Sequence, residues 1–335
     1  MQKNHAKRTA LALFLLFAVT VSAQAAKIAE VIPIGHTVGI KMQAEGVLIV
    51  QLTEVQGADG TRSPAKEAGV QEGDVLCRAG ETALHSNDDL QKQVALSAGQ
   101  PIKLTLERGD EEKSVTVTPC RDKTGAYRIG VLARDSLAGI GTLTYVDPQT
   151  GAFGSLGHGI CDSETGVLLP LQEGTIIHST VSSVQRGKAG EPGSLQGEFS
   201  TEKPLGTVAQ NTESGIFGTM TDDSLYSELQ CVPIASADEI KIGDAEILSN
   251  VDGDSVQRYS VQIVKLYPAN DEYGRSMMLR VTDPQLAEKT GGIVQGMSGS
   301  PILQNGKLIG AVTHVLVDNP LEGYGISMEK MLAAS

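Results

Sequence analysis

The reading of this 335-residue chain turns on Gly296-Met297-Ser298-Gly299-Ser300-Pro301. A serine set between glycines and followed by Ser-Pro has the composition of a nucleophile loop. The glycine two positions ahead lets the main chain turn sharply, so that the amides of Gly296 and Ser298 can converge on one oxyanion. A serine hydroxyl is a weak nucleophile at its own pKa and needs a base, for which histidine is the usual choice. Ser300 reads as a small residue at a place where a further glycine could stand, and Ser298 as the attacking group.

The chain has six histidines: His5, His36, His85, His158, His178 and His314. His5 falls in an N-terminal segment that reads as a targeting signal, and His36 and His85 in a separate N-terminal module. His178, in Thr175-Ile176-Ile177-His178-Ser179, alternates as a strand residue would and reads as structural. His314 lies in a predicted strand, Ile309 to Val317, where a core position and a substrate-facing one are equally open. His158 sits in Gly154-Ser155-Leu156-Gly157-His158-Gly159, a tight glycine turn that a merely structural histidine seldom occupies, and is the candidate base. The order His158, then Ser298, is that of the chymotrypsin clan.

Composition bounds the alternatives. The chain is 40% hydrophobic and 20% charged, with 38 glycines, which suits a globular protein of strands and tight turns with room for two domains. Lys3, Lys7 and Arg8, then the apolar run Leu11 to Val21, then Ala23-Gln24-Ala25, read as an export signal or signal anchor over residues 1–26. Either form places the body across the cytoplasmic membrane, with membrane contact through that segment alone. Its removal takes three cations and no acid, moving the net charge from -13 to -16; so acidic a surface disfavours nucleic acid and anionic lipid. Cys77, Cys120, Cys161 and Cys231 form no zinc spacing and are scattered, so they read as small buried thiols. No phosphate loop, dinucleotide fingerprint or metal cluster is read in the sequence, and no cofactor or metal is expected.

The expected fold is mainly β with a small α+β module. Over residues 36–119, two strands (Gly39 to Met42 and Val47 to Val50) flank an Ala44-Glu45-Gly46 turn. A short helix over 63–69 follows, then a Gly73-Asp74 turn into a strand, a helix from Asp89 to Leu96 capped by Ser86-Asn87-Asp88-Asp89, and two alternating strands. Ser63-Pro64-Ala65-Lys66-Glu67-Ala68-Gly69-Val70 with Gly73-Asp74-Val75-Leu76 resembles a PDZ domain. The resemblance implies capture of a peptide or protein C-terminus at a sheet edge, the carboxylate loop falling by position on Thr37, Val38, Gly39 and Ile40. Residues 120 to 135 read as a linker. Beyond Ile140 come short strands (Thr142 to Val146, Val167 to Leu169, Thr175 to Val184, Thr207 to Gln210, Glu246 to Leu248, Tyr259 to Tyr267 and Met277 to Val281) with a helix near Pro284 to Lys289.

Gly154 to Asp162, and the block from Gly291 through Ser298-Gly299-Ser300-Pro301-Ile302 to Gly323-Tyr324-Gly325-Ile326, resemble the stage IV sporulation protein B peptidases. The resemblance covers most of residues 120–335, and the preceding PDZ module and export segment agree with it. It implies a trypsin-like β-barrel serine peptidase domain, exported into the space between forespore and mother cell. There it would cleave a membrane-bound regulatory complex, activating an intramembrane protease that releases a late sigma factor. The implied roles are Ser298 as nucleophile, His158 as general base, Gly296 and Ser298 as oxyanion donors, and Asp283, in Val281-Thr282-Asp283-Pro284, as third member. Asp162, close to His158 in sequence, is the alternative. The PDZ module would serve substrate recognition or bind the enzyme's own chain. A non-catalytic adaptor is the competing class. A general envelope quality-control protease is a third reading, disfavoured because there the peptidase precedes the PDZ domain.

Overall fold

The computed structural model describes residues 28–57 and 60–335, so the export segment expected over residues 1–26 lies outside the described residues. Two closed rings of antiparallel strands make up most of the chain. In the first, the strand Thr37–Leu52 pairs with Val131–Val146, which pairs with Ala152–Ser155. The ring continues through Gly215–Met220, Ser194–Thr212 and Leu171–Gln185, and closes back on Thr37–Leu52. The second runs Gly243–Ser249, Gln257–Leu266, Met277–Val281, Glu322–Ser327, Lys307–Val315 and Pro301–Gln304. Closure leaves neither ring a free sheet edge.

Period-two patterning explains the second ring. Along Gln257–Leu266, Tyr259, Val261 and Ile263 are buried while Arg258 and Ser260 are exposed, and the inward set packs with Ile247, Leu279, Ile302 and Val312. Each such side chain contributes about 1.5–3 kcal/mol by leaving water. The first ring encloses Val38, Ile40, Met42, Leu143, Phe153 and Ile176. Among the described residues no helix is long and apolar enough to cross a membrane.

The N-terminal module grows from the far half of the strand Thr37–Leu52. Val75–Ala79, Ile102–Arg108 and Glu111–Val117 extend its sheet. The helix Asn87–Leu96, capped by the Ser86 side chain accepting from the Asp89 amide, sets Leu90 and Val94 against Val47, Ile49 and Leu104. Here two expectations are corrected. The chain does not turn at Ala44-Glu45-Gly46; it runs as one sixteen-residue strand through Gly46, at φ 95°. A Cβ there would sit 2.8 Å from the Val75 side chain and 2.9 Å from the Leu76 carbonyl, so a glycine that reads as a turn is in fact a close approach between strands. Nor are residues 120 to 135 a linker: they hold a hairpin, Cys120–Arg121 with Tyr127–Arg128, and the start of the strand Val131–Val146.

Of the shorter predictions, Met277–Val281 and the helix at Pro284 appear as read, whereas Val167 to Leu169 contributes only an isolated bridge, Cys161 to Leu168. All four cysteines are free, Cys77 and Cys120 half-buried, Cys161 and Cys231 exposed, so the expectation of buried thiols fails for the latter pair.

Asp74 of the Gly-Asp turn is 1% exposed, and its carboxylate accepts from Arg108 Nε at 2.7 Å, Arg108 Nη2 at 2.8 Å and the Gln71 amide at 2.8 Å. Arg108→Met strands a buried carboxylate, so we expect the module to lose about 3 kcal/mol, read by calorimetry as a lowered transition for the PDZ unit. An unchanged transition would show that water replaces the guanidinium without loss.

Candidate active site

A cleft of about 530 Å³ opens where the two rings meet. The first ring supplies Ile40, Ile140 and the turn carrying His158; the second supplies Gly296, Ser298, Thr313 and His314. Ser298 and His158, 140 positions apart in sequence, therefore line one cavity.

Main-chain bonds hold the Ser298 loop. Met297 N donates to Val294 O at 3.1 Å, Gly299 N to Val312 O at 2.7 Å and Ser300 N to Met297 O at 3.0 Å. Among the described residues the amides of Gly296 and Ser298 donate to no main-chain carbonyl, which leaves both available to an oxyanion. Gly299 is at φ 95°, and a Cβ there would lie 2.0 Å from the Thr142 carbonyl. Two threonines of the first ring brace this loop: Thr142 Oγ1 donates to Gly296 O and Thr144 Oγ1 to Gly299 O, both at 2.8 Å, and Thr142 N donates to Ser298 O at 2.9 Å. Sequence reading passed over these buried threonines; their only signal was hydroxyl-bearing residues at alternate positions of an otherwise apolar strand end.

The Ser298 hydroxyl donates to the main-chain carbonyl of Thr313 at 2.6 Å. His158 follows Leu156 and Gly157, both in the left-handed region at φ 67° and 69°. Its Nδ1 lies 2.8 Å from the Gly159 carbonyl. A carbonyl only accepts, so Nδ1 carries the proton and Nε2 keeps its lone pair, the tautomer a general base needs. The His314 ring stands 4.8 Å from that of His158, tilted by 35°. Burial lowers the pKa of His158 below 6.5, against the Gly159 bond. Burial, then the charge His158 would carry, lowers His314 to about 4. Both rings are neutral at pH 7.

Neither aspartate is bonded to that imidazole. Asp283 caps the helix Pro284–Thr290: its Oδ1 accepts from Gln285 N at 2.9 Å and Leu286 N at 3.1 Å, and its Oδ2 from Ser260 N at 3.3 Å. Asp162, 1% exposed, accepts from the Glu164 and Thr165 amides and pairs with Arg134. The Asx-Pro start of a helix favours a cap over a triad position, and the Gly159 carbonyl takes the place on Nδ1. The carboxylate loop expected at Thr37, Val38, Gly39 and Ile40 is also overturned. That stretch is paired on both edges, Gly39 facing Ile140 on one side and Ile177 on the other, and Thr37 N donates to Asn250 Oδ1. A peptide cannot add to it. Cys161 also lines the cleft, but the partial desolvation of its thiol, on a residue otherwise exposed, and then Glu213 raise its pKa, which keeps it a thiol and a poor rival to Ser298.

Two six-stranded barrels with a glycine-flanked serine on one, a histidine turn on the other and a cleft between them define a serine peptidase of trypsin-like fold, here with a PDZ domain ahead of it. The family SpoIVB peptidase S55 matches residues 125–332, more than half of the chain, and a PDZ domain matches residues 37–118. The chain belongs to the SpoIVB peptidase S55 family.

Among curated proteins, "Putative zinc metalloprotease CPE1693" of Clostridium perfringens (strain 13 / Type A) is 33% identical over 69 residues, 21% of each chain. A "Putative zinc metalloprotease" of Treponema pallidum (strain Nichols) is 37% identical over 70 residues, 21% of this chain and 16% of that one. The chain thus spans about a fifth of the length of the curated relatives it matches. Among solved structures, the active form of the Rv3671c protease from M. tuberculosis is similar at 18% identity over 59% of this chain and 72% of that one, with a TM-score of 0.35. The PDZ domain of the SdrC-like protein Lmo2051 from Listeria monocytogenes is similar at 20% identity over 27% and 87%, with a TM-score of 0.22.

A base must be neutral to accept a proton, and the native pKa of His158 is lowered, so kcat/KM should stay flat above pH 6.5 and fall only below it. The same sign governs stability: the unfolded chain binds protons at about 6.5 and the native histidines only at lower pH, so their contribution is present above 6.5 and is lost as pH falls toward 4. A pH–rate profile with its acid limb above 6.5 would contradict this environment for His158.

Proposed function

We propose that this protein is an exported serine endopeptidase in which Ser298 is the nucleophile and His158 the general base. The observation that carries the reading is the convergence of these two residues on one cleft in a chain of the SpoIVB peptidase S55 family. On substrate binding, Ser298 Oγ turns from the Thr313 carbonyl toward His158 Nε2. It gives up its proton as it attacks the scissile carbonyl, while the amides of Gly296 and Ser298 receive the oxyanion; His158 then returns the proton to the leaving amine. Leu137, Ile140, Leu156, Ile160 and Val315 make the cleft walls apolar, which suits an apolar side chain beside the scissile bond. The proposed substrate is a membrane-associated regulatory protein cleaved during sporulation. Its cleavage in the space between forespore and mother cell activates an intramembrane protease and so a late sigma factor.

The PDZ module, in this reading, regulates the enzyme through its own chain. The edge of Leu48–Leu52 beside the helix Asn87–Leu96 is covered by Val131–Arg134, antiparallel, with Val131 facing Leu52 and Arg134 facing Leu48. The Asn87 amide donates to Asp135 Oδ2 at 2.8 Å and Asn87 Nδ2 to the Ala133 carbonyl at 3.2 Å. A strand added antiparallel beside that helix is how PDZ domains hold extended peptides, and here the occupant is internal. The Ser298 hydroxyl, bonded to Thr313, accords with a resting enzyme, and the same feature is what favours the adaptor reading as the alternative.

Two experiments test these statements. A spore-forming strain lacking its own peptidase of this family should regain mature sigma factor and spores with this chain and not with Ser298→Ala or His158→Ala. Rescue by Ser298→Ala would establish the adaptor. In vitro, fluorophosphonate labelling of the parent should fall by roughly 10³-fold or more in either variant. The pair Asn87→Ala and Asp135→Ala, each removing about 1 kcal/mol from the internal strand, should label several-fold faster; equal rates would make that strand purely structural.

A further inference from the structure

On the side of the first ring where the strands Thr37–Leu52 and Leu171–Gln185 lie together, His36 and His178 meet Asp254. Asp254 lies in the segment joining the strands Gly243–Ser249 and Gln257–Leu266 of the other ring. His36 Nε2 and His178 Nε2 each lie 4.0 Å from Asp254 Oδ1, the two rings are 5.3 Å apart at centroid, and one ligand atom from each residue falls within 4.8 Å of the others. We propose that His36, His178 and Asp254 bind a divalent transition-metal ion of the zinc type, which clips the two barrels together at a place separate from the peptidase cleft.

Three features support a site over a chance cluster. His36 is 6% exposed, and its Nδ1 lies 2.6 Å from the Thr37 carbonyl. That acceptor fixes the proton on Nδ1 and leaves the Nε2 lone pair directed at the other two groups, the arrangement by which metal-binding histidines are oriented. The Asp254 segment is also fastened in place. Asn250 Oδ1 accepts from Thr37 N at 2.5 Å and Thr37 Oγ1 at 2.7 Å, and Gly253 exchanges two main-chain bonds with Val181 at 2.9 and 3.0 Å. Finally, two imidazoles and one carboxylate form a ligand set that zinc accepts, with a fourth position left to water. Tetrahedral zinc with bonds of about 2.1 Å requires ligand atoms about 3.4 Å apart. The 4.0 Å spacings to Asp254 therefore close by about 0.6 Å, within reach of Asp254, whose side chain is 54% exposed, and the spacing between the two histidines, within 4.8 Å, closes by turning the half-buried His178 ring. Such an ion would hold the rings at a fixed separation without entering the chemistry at Ser298.

The test uses the chain from residue 27 onward, freed of metal by chelation, with zinc itself as the probe. Calorimetric titration should show one zinc per chain with micromolar or tighter affinity, and zinc should raise the melting temperature. Cobalt in its place should give the visible absorption of a four-coordinate ion. His178→Asn and Asp254→Asn, both at partly exposed side chains that should leave folding intact, should each weaken binding at least tenfold and abolish the cobalt band. His158→Ala and His314→Ala should leave both signals unchanged. Absence of zinc binding by the parent, full binding by Asp254→Asn and His178→Asn, or loss of binding in the His158 or His314 variants would each overturn the proposal.

Discussion

The antiparallel ladder between Thr37–Leu52 and Val131–Val146 is the interaction on which the rest of the molecule depends. It runs from Leu52 facing Val131 to Thr37 facing Thr142. At one end it forms part of the PDZ sheet and covers its edge beside the helix Asn87–Leu96; at the other it closes the first barrel. Two units that comparison separates at residue 118 and residue 125 are thus joined by continuous strands, with no flexible tether between them. Val131–Val146 also carries Thr142 and Thr144, whose hydroxyls brace the carbonyls of Gly296 and Gly299. Val131–Asp135 at the PDZ edge and Thr142 and Thr144 at the Ser298 loop therefore lie on one continuous strand.

The Ser298 hydroxyl spends its proton on the Thr313 carbonyl, and a single neutral hydrogen bond of this kind is worth about 1 kcal/mol net. Turning it toward His158 therefore costs little in hydrogen bonding. His158 already holds the useful tautomer through the Gly159 carbonyl. A carbonyl dipole orients the ring as an aspartate would, but it brings no full negative charge to the imidazolium that forms during attack. The burial that lowers the pKa of His158 acts in the same sense: it keeps the base neutral and makes its protonated form costly.

The legible part of this protein was local chemistry. Glycines around Ser298 and His158 advertised close backbone approach, and the Ser-Pro-Ala and Gly-Asp segments advertised the PDZ module, because such positions constrain sequence directly. Met277–Val281 and the capped helix at Pro284 were legible for the same reason: alternation and an Asx-Pro start each have one local cause. What failed was non-local. Gly46 reads as a turn because a glycine's motive is invisible without the neighbouring strand, here Val75 and Leu76. Thr37 to Ile40 read as a carboxylate loop because nothing in the stretch reveals that both its edges are taken. Asp283 illustrates the limit for sites: a carboxylate shortly before the serine can be a catalytic partner or a helix cap, and only the bonds to Gln285 and Leu286 separate the two.

The cleft's width follows from how the barrels are tied. Directional bonds join them: Thr142 to Gly296 and to Ser298, Leu195 N to Gln295 O at 2.8 Å, Gln295 N to Gly193 O at 2.9 Å, Gly187 N to Thr290 O at 2.8 Å, and, away from the cleft, Thr37 to Asn250. Most use main-chain atoms, which no side-chain substitution removes, and hydrogen bonds weaken steeply when their geometry is lost. Apolar packing tolerates sliding because it has no preferred direction; these ties do not. The barrels therefore meet at one separation.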